Sequence, residues 1–127
     1  MASALAEAPR MKAIRAASAR RFLFICSQNR LRSPTAEQIF ADRVETESAG
    51  LKNDAENPVT PELLKWAEVI FVMERAHRSK LSQKFKLHLG GKRVVCLDIP
   101  DDFDYMAPEL IALLELKMVR YLPQLQA

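Results

Sequence analysis

A thiol and a guanidinium with five residues between them, Cys26 and Arg32, are the best candidates for chemistry in this chain. Ser27, Gln28, Asn29, Arg30 and Leu31 run between them, and Ser33 and Pro34 follow. A loop of that length wraps one tetrahedral dianion. Its backbone N–H groups act as inward donors, and a helix opening just after it adds a positive field. Arg32 can then bind two phosphate oxygens at once. The same field favours a thiolate at Cys26, the nucleophilic form of cysteine, and Ser33 is placed to donate a hydrogen bond to the sulfur. Spacing alone is a weak signal, because a free cysteine is also commonly a buried structural residue. The flanking elements strengthen it.

Arg21 to Cys26 is a short apolar run that ends in polar residues, the pattern of a buried strand. Ser33-Pro34 reads as a helix start, with Ser as a cap, Pro in the first turn and Glu37 near the positive end. Further strands are expected at Thr46–Leu51, Val69–Met73 and Val94–Leu97. Helices are expected from Thr60-Pro61-Glu62, over Arg75–Phe85 and over Pro108–Tyr121, with a loop at Asn53–Asn57 and a turn at Gly90-Gly91. Strands alternating with helices, each strand a continuous apolar run, imply an α/β fold with a parallel sheet covered on both faces. Ligands then bind at the carboxyl ends of the strands near the topological switch point. Cys26 and Asp98 both fall at such ends.

Composition restricts the alternatives. The chain has 127 residues, 49% of them apolar and 28% charged, which suits one globular domain. No apolar run approaches the roughly 20 residues that span a bilayer, so no membrane role is expected. The net charge of +3 owes much to Arg10, Lys12, Arg15 and Arg20, ahead of the first strand, so a nucleic-acid partner is poorly supported. Residues 1–20 read as a flexible N-terminal arm, with Met11 an alternative start, and 21–127 as the domain. The N-terminus has no apolar signal region, and there are two cysteines, Cys26 and Cys96. Both points suit a reducing, cytoplasmic setting.

The loop resembles that of the low-molecular-weight protein tyrosine phosphatases, Cys-x-Gly-Asn-x-Cys-Arg-Ser-Pro-x-Ala-Glu. Cys26, Asn29, Arg32, Ser33, Pro34, Ala36 and Glu37 stand in register with it. Ser48-Ala49-Gly50 and Val69-Ile-Phe-Val-Met-Glu74 are similar to two further strand ends of that family. The resemblance implies a flavodoxin-like fold with four parallel strands and a two-step reaction without metal or cofactor. Cys26 would form a cysteinyl-phosphate on a phosphorylated protein or small aryl phosphate, and water would release inorganic phosphate. Arg32 and the loop from Ser27 to Leu31, with Ser33, would bind the phosphate, and Asn29 would hold a backbone conformation of positive φ. Gln28 replaces the family's Gly, Leu31 replaces its second loop Cys, and the chain is shorter than typical members.

The reaction needs an acid for the leaving oxygen. In the family this is an Asp directly followed by Pro, whereas here Ile99 precedes Pro100. Asp98, at a strand end, ranks first and Asp101 second, against a purely turn-forming acidic cluster. Phe103 and Tyr105 are expected either to wall the pocket or to pack in the core. His77 and His88 read as surface residues, Cys96 as core, and no cluster suggests a metal site. Two competing functions remain open. One is a non-catalytic phosphate-binding module, and the other is an arsenate reductase, which would need more cysteines for a disulfide relay.

Overall fold

The computed structural model describes residues 21–122. The expected arm over 1–20 lies outside them, as do the last five residues of the expected domain.

β1 (Arg21–Cys26) forms because Phe22, Leu23, Phe24 and Ile25 are all apolar and can be buried on both sides, and all four have no exposed surface. α1 (Arg32–Phe40) and β2 (Glu45–Gly50) follow, then α2 (Pro61–Trp66), β3 (Val69–Val72), α3 (Arg75–Phe85), β4 (Arg93–Cys96) and α4 (Pro108–Met118), with a 3-10 turn at Lys86–His88. The strands make one parallel sheet in the order β2-β1-β3-β4. This is the four-stranded, flavodoxin-like α/β arrangement, with helices on both faces.

Alternation along the central strands divides the core in two. Phe22 and Phe24 of β1 and Phe71 of β3 face α1 and α4, where Phe40, Leu110, Leu114 and Met118 meet them. Leu23 and Ile25 of β1 and Ile70 and Val72 of β3 face α2 and α3, against Leu64 and Leu81. On the first face, Phe24 stacks on Phe71 with centroids 5.3 Å apart and on Phe40 at 5.9 Å. Each such pair adds about 0.5–1.5 kcal/mol beyond area burial.

Helix starts follow local rules in one place and depart from them in another. At α2, the Thr60 hydroxyl accepts from the Leu63 N–H at 3.2 Å, and Pro61 occupies the first turn. At α1 the expected cap is absent. The helix already includes Arg32, and no side chain caps Leu31. Ser33 and Glu37 are occupied elsewhere, as the site shows.

The chain passes from β1 to β2 on one side and then crosses to β3 on the other, so the switch point lies between the carboxyl ends of β1 and β3. Cys26 ends β1 at that point. The sheet continues there through Met73 N–H to Ile25 O (3.1 Å), Leu97 N–H to Val72 O (2.9 Å) and Ile99 N–H to Met73 O (2.8 Å).

Candidate active site

The loop after β1 is shaped from its outer side. Leu51 N–H donates to Cys26 O (3.0 Å), Lys52 N–H to Ser27 O (3.0 Å) and Glu56 N–H to Gln28 O (3.1 Å). Among the described residues no peptide bond is cis. In a trans peptide the N–H lies opposite the C=O, so turning these three carbonyls outward turns the N–H groups of Ser27, Gln28 and Asn29 inward. Asn29 then takes φ +58°, a conformation Asn tolerates. Gln28 needs no glycine-like φ. The family's Gly is therefore not required at this position, and the Gln28 side chain lines the cleft instead.

Gly50 is what lets the outer segment come this close. A Cβ there would lie 2.5 Å from Ala55 Cβ, 2.7 Å from Ser27 O and 2.9 Å from the Gln28 carbonyl carbon. Gly50→Ala must push the loop backbone itself. We expect a stability loss of about 1–3 kcal/mol, and weaker phosphate binding with it, measured by denaturant unfolding and by phosphate titration. An unchanged unfolding midpoint would count against this account.

The inner side is fixed by a chain of hydrogen bonds with a defined direction. Cys26 Sγ lies 2.9 Å from Ser33 Oγ. Asn29 Nδ2 donates to Ser33 Oγ (3.0 Å) and to Ser48 Oγ (2.8 Å). Ser48 in turn donates to the Glu37 carboxylate. The Ser48 hydrogen goes to Glu37, so Ser48 offers its oxygen to Asn29, and both amide hydrogens of Asn29 are used. The oxygen of Ser33 thus receives a hydrogen, and its own O–H is free to point at the sulfur.

Arg32 is buried, with 4% of its side chain exposed. Its Nη1 donates to the Glu74 carboxylate and to Ile99 O (2.7 Å). Among the described residues, its Nε–Nη2 edge donates to none, and that edge is the fork that takes two oxygens of one oxyanion. Ile99 O also ties the segment after β4 to the site, as does Met106 N–H donating to Thr35 Oγ1 at 3.0 Å.

The two candidate acids are placed differently. Asp101 lies 3.8 Å from Arg32 Nε, is 67% exposed, and lines a cleft of about 380 Å³ with Cys26, Ser27, Gln28, Arg32 and Lys52. Arg30 and Leu31 also face this cleft. Asp98 does not line it. A φ of +55° turns Asp98 toward Cys96 Sγ (3.5 Å) and Arg75 Nε (4.0 Å). The placement favours Asp101 over Asp98, the reverse of the order read from the strand end.

Cys96 is the last residue of β4 and half-buried rather than core. Burial pushes its thiol up from its ordinary value. Phe103 packs against the core, and Tyr105 is 49% exposed. Neither lines the cleft, which has no aromatic wall among the described residues. Those residues also contain no group of three His, Cys, Asp or Glu side chains close enough to hold a metal ion.

His77 corrects the surface reading. It is buried on the first turn of α3. Glu74 N–H donates to its Nδ1 at 3.0 Å, so the neutral ring carries its hydrogen on Nε2, which meets Ser27 Oγ at 3.0 Å. One helix start therefore holds both ends of the loop, Arg32 through Glu74 and Ser27 through His77. Burial, first, and the Arg32 guanidinium push His77 below the ordinary imidazole value of 6.5, against the opposing pull of Glu74 and Asp101.

A depressed value means that below about pH 6.5 the unfolded chain binds a proton the folded state resists. His77 thus contributes stability above that pH and loses it as the pH falls. His77→Gln should lack this component. Thermal unfolding of both proteins from about pH 8 to pH 5 tests it. Parallel curves would remove His77 as the source.

Comparison with known proteins agrees with this geometry. A sequence model described as "Low molecular weight phosphotyrosine protein phosphatase" matches residues 21–89, just over half of the chain. No curated protein sequence matches. Among solved structures, a low molecular weight phosphotyrosine phosphatase from Vibrio cholerae O395 is 17% identical with a TM-score of 0.65, over 80% of this chain and 94% of that one. The tyrosine phosphatase Wzb from Escherichia coli K30, solved with phosphate, gives 19% and 0.61, over 80% and 95%. The YwlE arginine phosphatase from Geobacillus stearothermophilus gives 20% and 0.60, over 80% and 93%. At these identities the structures show a shared fold. The sequence match runs from the first residue of β1 through the cradle and the whole of α3, and stops before β4 and the acidic segment. On that match, the chain belongs to the low molecular weight phosphotyrosine protein phosphatase family of hydrolases.

Proposed function

We propose that the protein hydrolyses phosphotyrosine or aryl phosphate esters through a cysteinyl-phosphate intermediate. One observation carries the reading: Asn29, held by Ser48 and Glu37, donates to Ser33, whose hydroxyl lies 2.9 Å from Cys26 Sγ at the foot of the cleft and can donate to it. A donor aimed at sulfur stabilises a thiolate, the nucleophilic form.

In the first step the Cys26 thiolate attacks phosphorus, and the bond to the ester oxygen breaks. Asp101 gives that oxygen its proton. The inward N–H groups of Ser27, Gln28 and Asn29 and the Nε–Nη2 edge of Arg32 hold the equatorial oxygens as charge shifts among them. In the second step a water attacks phosphorus and yields its proton to the Asp101 carboxylate. Inorganic phosphate leaves, and the Cys26 thiolate is restored. His77 and Glu74 position the loop without touching the substrate.

A cytoplasmic setting fits this chemistry, since the nucleophile must be a reduced thiol and both cysteines are free. Residues 21–127 are the unit to which we assign the reaction. Among the described residues no helix is long and apolar enough to cross a membrane.

The test is release of p-nitrophenol from p-nitrophenyl phosphate by the purified protein. Turnover should survive EDTA and be inhibited by orthovanadate, which mimics the trigonal-bipyramidal transition state. An absolute need for added Mg²⁺ or Zn²⁺ contradicts the mechanism. Phosphate binding without turnover identifies a binding module instead.

A further inference from the structure

A second groove, of about 490 Å³, adjoins the catalytic cleft, and the two share Ser27 and Lys52. Its charge is one-sided: Lys52, Lys80 and Lys84 line it against the single carboxylate of Asp54. Lys84 Nζ is held by neutral acceptors, Leu51 O at 2.8 Å and Asn53 Oδ1 at 3.3 Å. Among the described residues none of these three lysines has a carboxylate within ion-pair distance, whereas Arg30 and Arg75 each have one and Arg32 and Arg43 each have two. The positive charge of the groove is therefore left uncompensated beside the cradle.

The cleft supplies the complementary observation. With no aromatic wall among the described residues, it offers a tyrosine ring no stacking partner. Discrimination among phosphorylated substrates must then come from contacts beyond the ring. We propose that the lysine groove is a substrate subsite for acidic residues flanking phosphotyrosine in a peptide segment. The proposal rests on the phosphatase reading above, which supplies the phosphorylated residue in the cleft. An extended peptide advances about 3.3–3.6 Å per residue, so a carboxylate one to three positions from the phosphorylated residue reaches an adjoining groove. Lys52, common to both cavities, lies where the chain would cross from one to the other.

The experiment reads binding, so that it does not depend on turnover. Cys26→Ala protein is titrated with two labelled phosphotyrosine peptides of equal length, one flanked by Glu and one by Gln. The Glu-flanked peptide should bind about threefold to tenfold tighter at low ionic strength, with the gap closing as salt is added. Lys80→Gln with Lys84→Gln, in the same background, should abolish the gap and leave the Gln-flanked peptide unaffected. Both residues lie outside the catalytic cleft, and Gln at 84 keeps a donor for Leu51 O.

Equal affinity of the two peptides overturns the proposal. So does an equal loss of both in the double variant, which would make the lysines supports of the cradle, and so does failure of either peptide to bind. An unphosphorylated Glu-flanked peptide binding as tightly as the phosphorylated one overturns it too. The hydrolytic reading fails separately, if unsubstituted protein releases no p-nitrophenol while the peptide preference holds.

Discussion

Cys26→Ser is expected to lose turnover of p-nitrophenyl phosphate by more than about a thousandfold while the protein stays folded and still binds phosphate. Serine is close to cysteine in size, and its oxygen can still accept the hydrogen bond that Ser33 offers to the sulfur. The phosphate donors, the Arg32 edge and the inward N–H groups of Ser27, Gln28 and Asn29, are untouched. What is lost is nucleophilicity, because an alcohol remains protonated at neutral pH without a base beside it. Retained binding is measured as a phosphate-dependent rise in melting temperature, which follows mass action on the folded state. Cys96→Ser is the control. Its thiol donates to Asp98, and Cys96 lines neither the cleft nor the lysine groove. Turnover within a few-fold in Cys26→Ser, or its loss in Cys96→Ser, would sink the assignment of the nucleophile.

Asp101→Asn should slow substrates with poor leaving groups by about 10²- to 10⁴-fold. Phosphotyrosine and phenyl phosphate are such substrates, since their phenolate oxygens need a proton to depart. The p-nitrophenyl ester should suffer far less in the step that forms the intermediate, because its leaving group needs little help. Asp98→Asn should leave both classes nearly unchanged, as its carboxylate faces Arg75 and Cys96. The discriminating readout is the ratio of rates for the two substrate classes, not either rate alone. Were only Asp98→Asn to change that ratio, the acid would be Asp98 and the 98–107 segment would have to refold to bring it over the cradle. If neither substitution changes it, no carboxylate of this segment protonates the leaving group.

The sheet was legible because its strands are continuous apolar runs, a pattern set by burial on both faces. Their ends were less so. β2 begins and ends one residue before its expected bounds, at Glu45 and Gly50, because pairing with β1 rather than hydropathy decides where it stops. The cysteine loop was legible from spacing and from its place between a strand and a helix. Ser33 and Glu37 were read as helix-start chemistry, since a Ser-Pro pair followed by Glu gives the same local signal. The contact of Ser33 with Cys26 was expected from the loop itself, whereas the partner of Glu37, Ser48, comes from β2, and no local rule anticipates it. His77 was missed for a similar reason. It stands on a basic helix without ligand spacing, and its partner Ser27 is fifty positions away in the sequence. The placement of the two acids departs from the strand-end reading at one backbone angle. A strand-end position points a side chain at the site only if the strand geometry continues, and the positive φ of Asp98 ends it.

The segment from Leu51 to Glu56 makes three hydrogen bonds to the cradle from its own backbone and one exposed ion pair, Glu56 with Arg30, and four of its six residues are exposed. Surface segments of this kind open locally at a lower free-energy cost than a buried sheet. The shape of the loop is thus only as durable as this outer segment. On warming, the segment lifts first, the carbonyls of Cys26, Ser27 and Gln28 lose their restraint, and the ring of inward donors scatters while β1 stays in place. Loss of turnover is then expected to precede global unfolding and to reverse on cooling. A bound oxyanion resists this by holding the donors from within, so the ligand protects the segment although the two never touch.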